Sequence, residues 1–282
     1  MKFNLESAEI YFPNDQHSVP TLYRTTHLGI GAHQDDLEIM ALDGILKCFQ
    51  REDRWFCGVV VTDGSGSPRD GLYQDYSDDE MRLVRIKEQK KAAVVGEYLA
   101  QFFLDYPSSV VKQASEQNVV KDLRQVINAA TPDVIYTHNL LDKHDTHVAV
   151  TLRVIEAVRG LPNESKPKKL FGCEVWRDLD WMLDDDKVFF DVSDHENLHS
   201  ALLGVFDSQI AGGKRYDLAT MGRRRAHATY FASHGLDITT SLIYAVDLTP
   251  LIADKNLDIN TFINGYIHRF ANDAAARLEK LS

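Results

Sequence analysis

Cysteine is scarce in this 282-residue chain: Cys48, Cys57 and Cys173 are widely spaced and no Cys-x-x-Cys pair occurs. That excludes a disulfide framework and a thiolate metal site. Cys57 and Cys173 fall in strand-like runs and Cys48 in a helix-like one, so all three are expected to be buried structural thiols. Long apolar runs are missing too, since no window reaches the roughly 18 residues of a membrane span. The start, Met1 to His17, lacks a charged opening followed by a long apolar stretch, so a cytoplasmic protein is expected. Positive charge is in deficit: 31 Lys and Arg face 42 Asp and Glu, a formal net charge of −11. Such a surface disfavours phosphate backbones and anionic membranes, and neither nucleic acid nor membrane is expected as a partner. Internal repeats and low-complexity segments are also lacking.

What is present is ordinary globular composition, 44% hydrophobic and 26% charged, in a chain long enough to bury a sizeable core. Residues 1–25 form an irregular lead-in. From there strand and helix patterns alternate. Strands are expected at 26–33, 55–64, 101–106 and 133–139. Helices are expected at 37–50, 79–99, 116–130 and 147–160, with a Gly/Ser/Asp-rich loop at 65–78. This alternation predicts an α/β fold with a mostly parallel sheet and helices on both faces. Beyond about residue 161 the pattern loosens into an α/β extension: a strand at 170–177, helices at 197–211 and 215–233, a strand at 241–248 and a terminal helix at 259–281. No linker separates a second domain, so 26–282 is expected to be one unit, with 26–160 its core and 161–282 an extension. In such sheets ligands bind at the carboxyl ends of the strands.

Two segments stand at such ends. The first is Gly31-Ala32-His33-Gln34-Asp35-Asp36-Leu37-Glu38. A histidine and three carboxylates within six residues are costly to bury without a task. His33 and Asp36 are three apart, so a turn into a helix brings them to one side, and both suit Zn²⁺. Asp35 then projects elsewhere, as a general base beside a metal-activated water requires. The same segment also fits a helix N-cap with a strand-end histidine. The second segment, His138 to His147, holds three histidines and two aspartates, with His144 and His147 three apart at a helix start. His33, Asp36 and His147 together make a three-ligand set with a position open for water, as in catalytic zinc sites.

Other signals are weaker. Gly29-Ile30-Gly31 lacks the third glycine of a dinucleotide loop. Gly64-Ser65-Gly66-Ser67 lacks a phosphate-loop lysine. Arg223-Arg224-Arg225 fits a solvated helix face. His227 and His234 fit core or surface histidines better than ligands, and Tyr230 and Trp176 fit the core.

The ordered motifs resemble the PIG-L/LmbE-like zinc deacetylase family, the N-acetylglucosaminyl deacetylases and their relatives. Ala32-His33-Gln34-Asp35-Asp36 matches the first family motif with Gln for Pro. His144-Asp145-Thr146-His147 matches the second with Thr for Asp. Between them Arg85-Ile86-Lys87-Glu88, Ala92-Ala93 and Gly96 fit in order and spacing, as do Thr62-Asp63-Gly64 and Thr131-Pro132-Asp133-Val134. The likeness spans residues 26–160, with an echo at Asp207-Ser208-Gln209. It implies a Rossmann-like fold and metal ligands His33, Asp36 and His147. It implies Asp35 as general base, His144 as the residue that stabilises the oxyanion and protonates the amine, and Arg85 as a substrate contact. It implies Zn²⁺, with Fe²⁺, Co²⁺ or Mn²⁺ as substitutes, and a small amino-sugar substrate that loses its N-acetyl group. Several members are homo-oligomers. Thr146 departs most, because the acidic residue it replaces commonly pairs with the catalytic histidine and raises its basicity. Two rival functions remain open on the sequence: a metal amidase or deacylase of another acyl or sugar-conjugate amide, and a sugar-binding protein that keeps the fold without catalysis.

Overall fold

The computed structural model describes all residues, 1–282. Eight strands form one sheet: β1 (Glu9–Tyr11), β2 (His27–Gly31), β3 (Phe56–Thr62), β4 (Ala100–Tyr106), β5 (Val134–His138), β6 (Lys169–Cys173), β7 (Val188–Asp191) and β8 (Leu242–Asp247). The helices are α1 (Asp36–Met40), α2 (Leu42–Cys48), α3 (Asp78–Val95), α4 (Ser108–Val111), α5 (Asn118–Ala130), α6 (Asp145–Arg159), α7 (Glu196–Gly204), α8 (Asp207–Ile210), α9 (Tyr216–Tyr230), α10 (Thr249–Ala253) and α11 (Ile259–Leu281).

The spatial order is β1-β4-β3-β2-β5-β6-β8-β7. β4, β3, β2, β5 and β6 run parallel. β1 adds antiparallel at one edge, and β8 with β7 at the other. The expected α/β class holds. The chain steps outward from β2 through β3 to β4, then returns to lay β5 on the other flank of β2. The strand order therefore reverses between β2 and β5, and open α/β sheets form their binding crevice at that reversal.

The central strands are apolar on both faces because both faces are covered. Along β3 the alternation is plain: Cys57, Val59 and Val61 join the core under α5 and α6, while Phe56 and Val60 join the core under α1, α2, α3 and α7. Gly29 and Gly58 pair across β2 and β3. A Cβ on Gly58 would come within 2.7 Å of Leu37 Cδ1, and one on Gly29 within 3.0 Å of Leu37 Cδ2. The two glycines thus let α1, which follows the first motif, lie close on the sheet. All three cysteines are free and buried, as expected.

Several boundaries differ from the sequence reading. The lead-in contributes β1, whose three half-buried residues are too few to show a period. The helix expected at 37–50 breaks at Ala41 (φ −106°, ψ 18°) into α1 and α2. The helix expected at 197–211 divides into α7 and α8, and β7 is an extra edge strand burying only Phe190. No helix is long and apolar enough to cross a membrane.

Candidate metal centre

The two motif loops leave the carboxyl ends of β2 and β5, neighbours at the order reversal, so they meet. His33 Nδ1 lies 3.2 Å from His147 Nε2 and 3.3 Å from Asp36 Oδ2. His147 Nε2 lies 3.5 Å from Asp36 Oδ1. A tetrahedral ion with bonds of ~2.1 Å spaces its ligand atoms by ~3.4 Å. The spacings are of that order, with Asp36 turning Oδ2 to His33 and Oδ1 to His147. Burial lowers the pKa of both imidazoles, against the opposing pull of Asp36. Burial alone would raise Asp36, but the imidazoles that face it, His147, His138 and His33, hold it well below the usual carboxylate range. Neutral imidazoles and an ionised carboxylate are the forms that bind a metal. The donor set therefore fits a divalent ion.

Each donor is fixed from behind. The His33 N–H donates to Asp36 Oδ2 (2.6 Å), closing the turn that brings residues 33 and 36 together. His147 sits in the first turn of α6 and presents Nδ1 to Asp142 Oδ2 (3.3 Å). Asp142 also accepts the N–H of Trp176 (3.1 Å) and, at Oδ1, that of His144 (3.0 Å). A carboxylate behind a ligating imidazole fixes its tautomer and raises its basicity. Asp142→Asn is expected to weaken metal affinity about 10- to 100-fold with little change in melting temperature, checked by competition with a chelating dye. Unchanged affinity would remove Asp142 from this role. His138, fully buried at the end of β5, accepts the Ala32 N–H at Nε2 (2.9 Å) and stacks on His147 with ring centres 3.8 Å apart.

Asp35 does not join the three donors. It takes a left-handed backbone (φ 93°) as N-cap of α1, a conformation aspartate tolerates better than most residues. Its N–H donates to Gln89 Oε1 (3.2 Å), and its Oδ2 lies 3.5 Å from Arg85 Nη2. Burial pushes its pKa well above the carboxylate range, with Arg85 opposing.

The α3 helix is the scaffold for this loop. Ser77 and Glu80 form a capping box at its start, and it turns Arg85, Glu88 and Gln89 inward. Arg85 donates to the Gln34 carbonyl (2.6 Å) and to Ser67 Oγ, gripping both loops at once. Gln89 Nε2 donates to Glu38 (2.8 Å). Glu88 accepts from the Ser208 N–H (2.8 Å) and hydroxyl (2.6 Å), docking the Asp207-Ser208-Gln209 turn. The Arg-x-x-Glu spacing is thus a bracket with one arm on the metal loop and one on the extension.

His144 stands at the cavity side of the cluster, its ring centre 4.5 Å from that of His147. Its Nδ1 is buried without a partner. Thr146, where an acid would stand, is buried at the cavity wall. Burial, then His147 and His33, lower His144 to about 4.

The extension reaches the site by a route the sequence conceals. The Arg223–Arg225 run is not a solvated face throughout: Arg224 is 2% exposed and donates to the carbonyls of Glu38 (2.8 Å) and Ile39 (3.1 Å) at the end of α1. Those carbonyls lack helical partners. Arg224→Ala is expected to cost about 3 kcal/mol, as loss of a buried charged donor does, checked by urea denaturation. A change within about 0.5 kcal/mol would show the clamp to be idle. Of the two outlying histidines, His227 pairs with Glu174 (2.8 Å) and His234 is exposed.

The cluster opens into a cavity of about 400 Å³ lined by His33, Asp35, Asp36, Arg85 and His144, together with Trp176 and Tyr216. Fold and cluster together define an α/β protein with a Rossmann-like sheet and, at its order reversal, a histidine–carboxylate group able to hold a divalent ion. Residues 28–158, the stretch that carries both motifs, match the family described as PIG-L: GlcNAc-PI de-N-acetylase. Among solved structures, 4-carboxy-2-hydroxymuconate hydratase from Pseudomonas putida superposes with a TM-score of 0.60 at 16% identity, over 79% of this chain and 96% of that one. N,N'-diacetylchitobiose deacetylase from Pyrococcus horikoshii gives 0.58 at 19% identity, over 81% and 87%. The A40926 pseudoaglycone deacetylase Dbv21 gives 0.57 at 14% identity, over 79% and 97%. No curated protein sequence matches. Likeness at these identities establishes the fold, and the hydratase among the neighbours shows that the fold alone does not choose a reaction.

Proposed function

We propose that this protein is a metal-dependent N-deacetylase of a small amino-sugar substrate, acting in the cytoplasm. The observation that carries the proposal is the convergence of His33 Nδ1, Asp36 and His147 Nε2 at 3.2–3.5 Å spacings beside a carboxylate, Asp35, that is free of them. The family match and the two deacetylase neighbours support the reaction class. Zn²⁺ is the proposed ion, with Fe²⁺, Co²⁺ and Mn²⁺ acceptable to the same donors. When bound, such an ion polarises an acyl oxygen and brings the pKa of a water down towards ~7.

The chain's own residues do the rest. Asp35 takes a proton from the attacking water, and Arg85 and Gln89 hold the Asp35 carboxylate and backbone where that water would stand. His144, across the cluster and neutral, faces the acyl oxygen as it gains charge, and the proton that Asp35 took from the water passes by way of His144 to the departing amine. Arg85 does this by positioning, since its guanidinium is committed to Gln34, Ser67 and Asp35. Trp176 and Tyr216, which line the cavity, are its aromatic contacts for a sugar. The products are acetate and a free amine.

Purified protein, loaded in turn with Zn²⁺, Fe²⁺, Co²⁺ and Mn²⁺, should hold about one ion per chain. It should then release acetate and primary amine in equal amounts from N-acetylglucosamine or its conjugates. Hydration or another acyl transfer would break that equality. Ion binding without amine release from any acetylated sugar would sink the deacetylase reading.

A further inference from the structure

The loop between β3 and α3 is pinned at its base and almost free above it. At its start Asp63 accepts the N–H and hydroxyl of Ser65, and Ser67 donates to the Gly64 carbonyl (2.8 Å) and accepts from Arg85. Arg69 donates to the Ser65 carbonyl (2.6 Å) and pairs with Asp78 at the start of α3, which closes the base around residues 70–76. Inside that excursion the backbone bonds are internal: Tyr73 to Asp70, Gln74 to Gly71 and Tyr76 to Tyr73. Every residue in it is exposed except the half-buried Tyr73. One hydrogen bond joins it to the rest of the protein: the Tyr73 hydroxyl donates to Asp207 Oδ2 (2.6 Å).

The partner side is firm. Asp207 opens α8 beside Ser208, which Glu88 holds, and Ser208 and Gln209 are buried. The Ala211 N–H donates to the Asp207 carbonyl (2.8 Å) and that of Lys214 to the Gln209 carbonyl (2.8 Å). The two segments meet along a seam of small residues. A Cβ on Gly71 would stand 3.4 Å from the Ala211 carbonyl oxygen, one on Gly212 3.8 Å from that of Pro68, and one on Gly213 3.7 Å from Asp70 Cβ. Leu72, the one aliphatic side chain of the excursion, stays 80% exposed. The seam borders the cavity, because Gly66, Ser67 and Pro68 line it from one side and Gln209, Lys214 and Tyr216 from the other. A segment with few buried contacts opens at little cost, and such segments gate access to enzyme sites.

We propose that residues 70–76 are a flap over the cavity, latched by Tyr73 to Asp207, and that the latch sets how far a substrate extends beyond its first sugar. A ligand that fits the cavity of about 400 Å³ binds with the flap down. A longer one parts the seam and breaks the latch. Tyr73 and Asp207 are therefore specificity-determining residues that act through the seam, since neither lines the cavity. The inference rests on the deacetylase reading only for the choice of acetylated sugars as ligands; the latch stands without them.

Two measurements on the metal-loaded protein test it. Hydrogen exchange read by mass spectrometry needs no substrate. Tyr73→Phe removes only the hydroxyl, and residues 70–76 should then exchange about fivefold faster, the worth of one exposed hydrogen bond, with 207–214 unchanged. Calorimetry compares N-acetylglucosamine with N,N'-diacetylchitobiose. The parent should bind the monosaccharide more tightly, and Tyr73→Phe and Asp207→Ala should each narrow the ratio about fivefold by improving the disaccharide alone. Asp70→Cys combined with Gly213→Cys brings two Cβ atoms to 3.7 Å, a disulfide distance. The oxidised pair should lose the disaccharide, keep the monosaccharide and recover on reduction. Should strain at position 213 (φ 108°) keep that pair from folding, the two single variants decide. Unchanged exchange in Tyr73→Phe, or a ratio indifferent to both single variants, overturns the flap. A ratio that responds without amine release keeps the flap and overturns the deacetylase reading. Amine release from both sugars with the ratio unmoved does the reverse.

Discussion

Asparagine in place of Asp35 is expected to lower kcat about a thousandfold, the worth of a positioned general base, with metal content still near one ion per chain. The two side chains have the same shape. Asparagine keeps the left-handed backbone at φ 93°, which both residues tolerate, and the N–H bond to Gln89 survives because it comes from the main chain. What disappears is a carboxylate that accepts a proton. His33, Asp36 and His147 remain in place, so metal analysis separates loss of chemistry from loss of the site. Arg85 loses an ionic neighbour but keeps the Gln34 carbonyl and Ser67, so the loop stays gripped. Amine release and metal content measured on the same preparation check the outcome. Turnover within about tenfold of the parent would assign the base elsewhere.

The same geometry explains what the sequence disclosed. That His33, Asp36 and His147 would come together was legible because the loops that carry them leave the carboxyl ends of two short apolar strands, and in a parallel sheet those ends face the crevice. Their convergence follows from β5 returning beside β2, which the alternation of elements suggests but does not prove. Asp142 was harder to read. It faces the far nitrogen of His147, and nothing in a spacing of five says which imidazole it will face. Arg85 lines the cavity, but no pattern in the chain signals that its guanidinium is spent on backbone, Ser67 and Asp35. Arg224 was hidden for a different reason. Three consecutive arginines on a helix point in three directions, and only the tertiary fold shows that the middle one meets the frayed end of α1. Gln89 and Gly58 are similar cases, with roles set by what packs against them. The edge strands β1 and β7 were missed because three or four half-exposed residues carry too little periodicity.

Alanine at His147 should have the largest effect of any single change: metal affinity at least about a hundredfold weaker and amine release reduced to background. Two histidine-rich groups in the cluster have ligand geometry, His33 with His144 and His147, and Asp36 with His138 and His147. His147 is common to both, and the proposed centre takes its imidazole from the first and its carboxylate from the second. Removing His147 therefore dismantles either arrangement, whereas His33→Ala and His138→Ala tell them apart. Loss of the ion in the first variant and retention in the second supports the proposed set, and the opposite pattern would move the centre inward to His138. Truncation also removes the ring stacked on His138 and His144, so some loss of stability is expected in the apo protein. Circular dichroism and a melting curve on metal-free parent and variant measure that loss separately. A folded His147→Ala protein that still binds one ion with parental affinity would leave the two loops adjacent but without a metal to share.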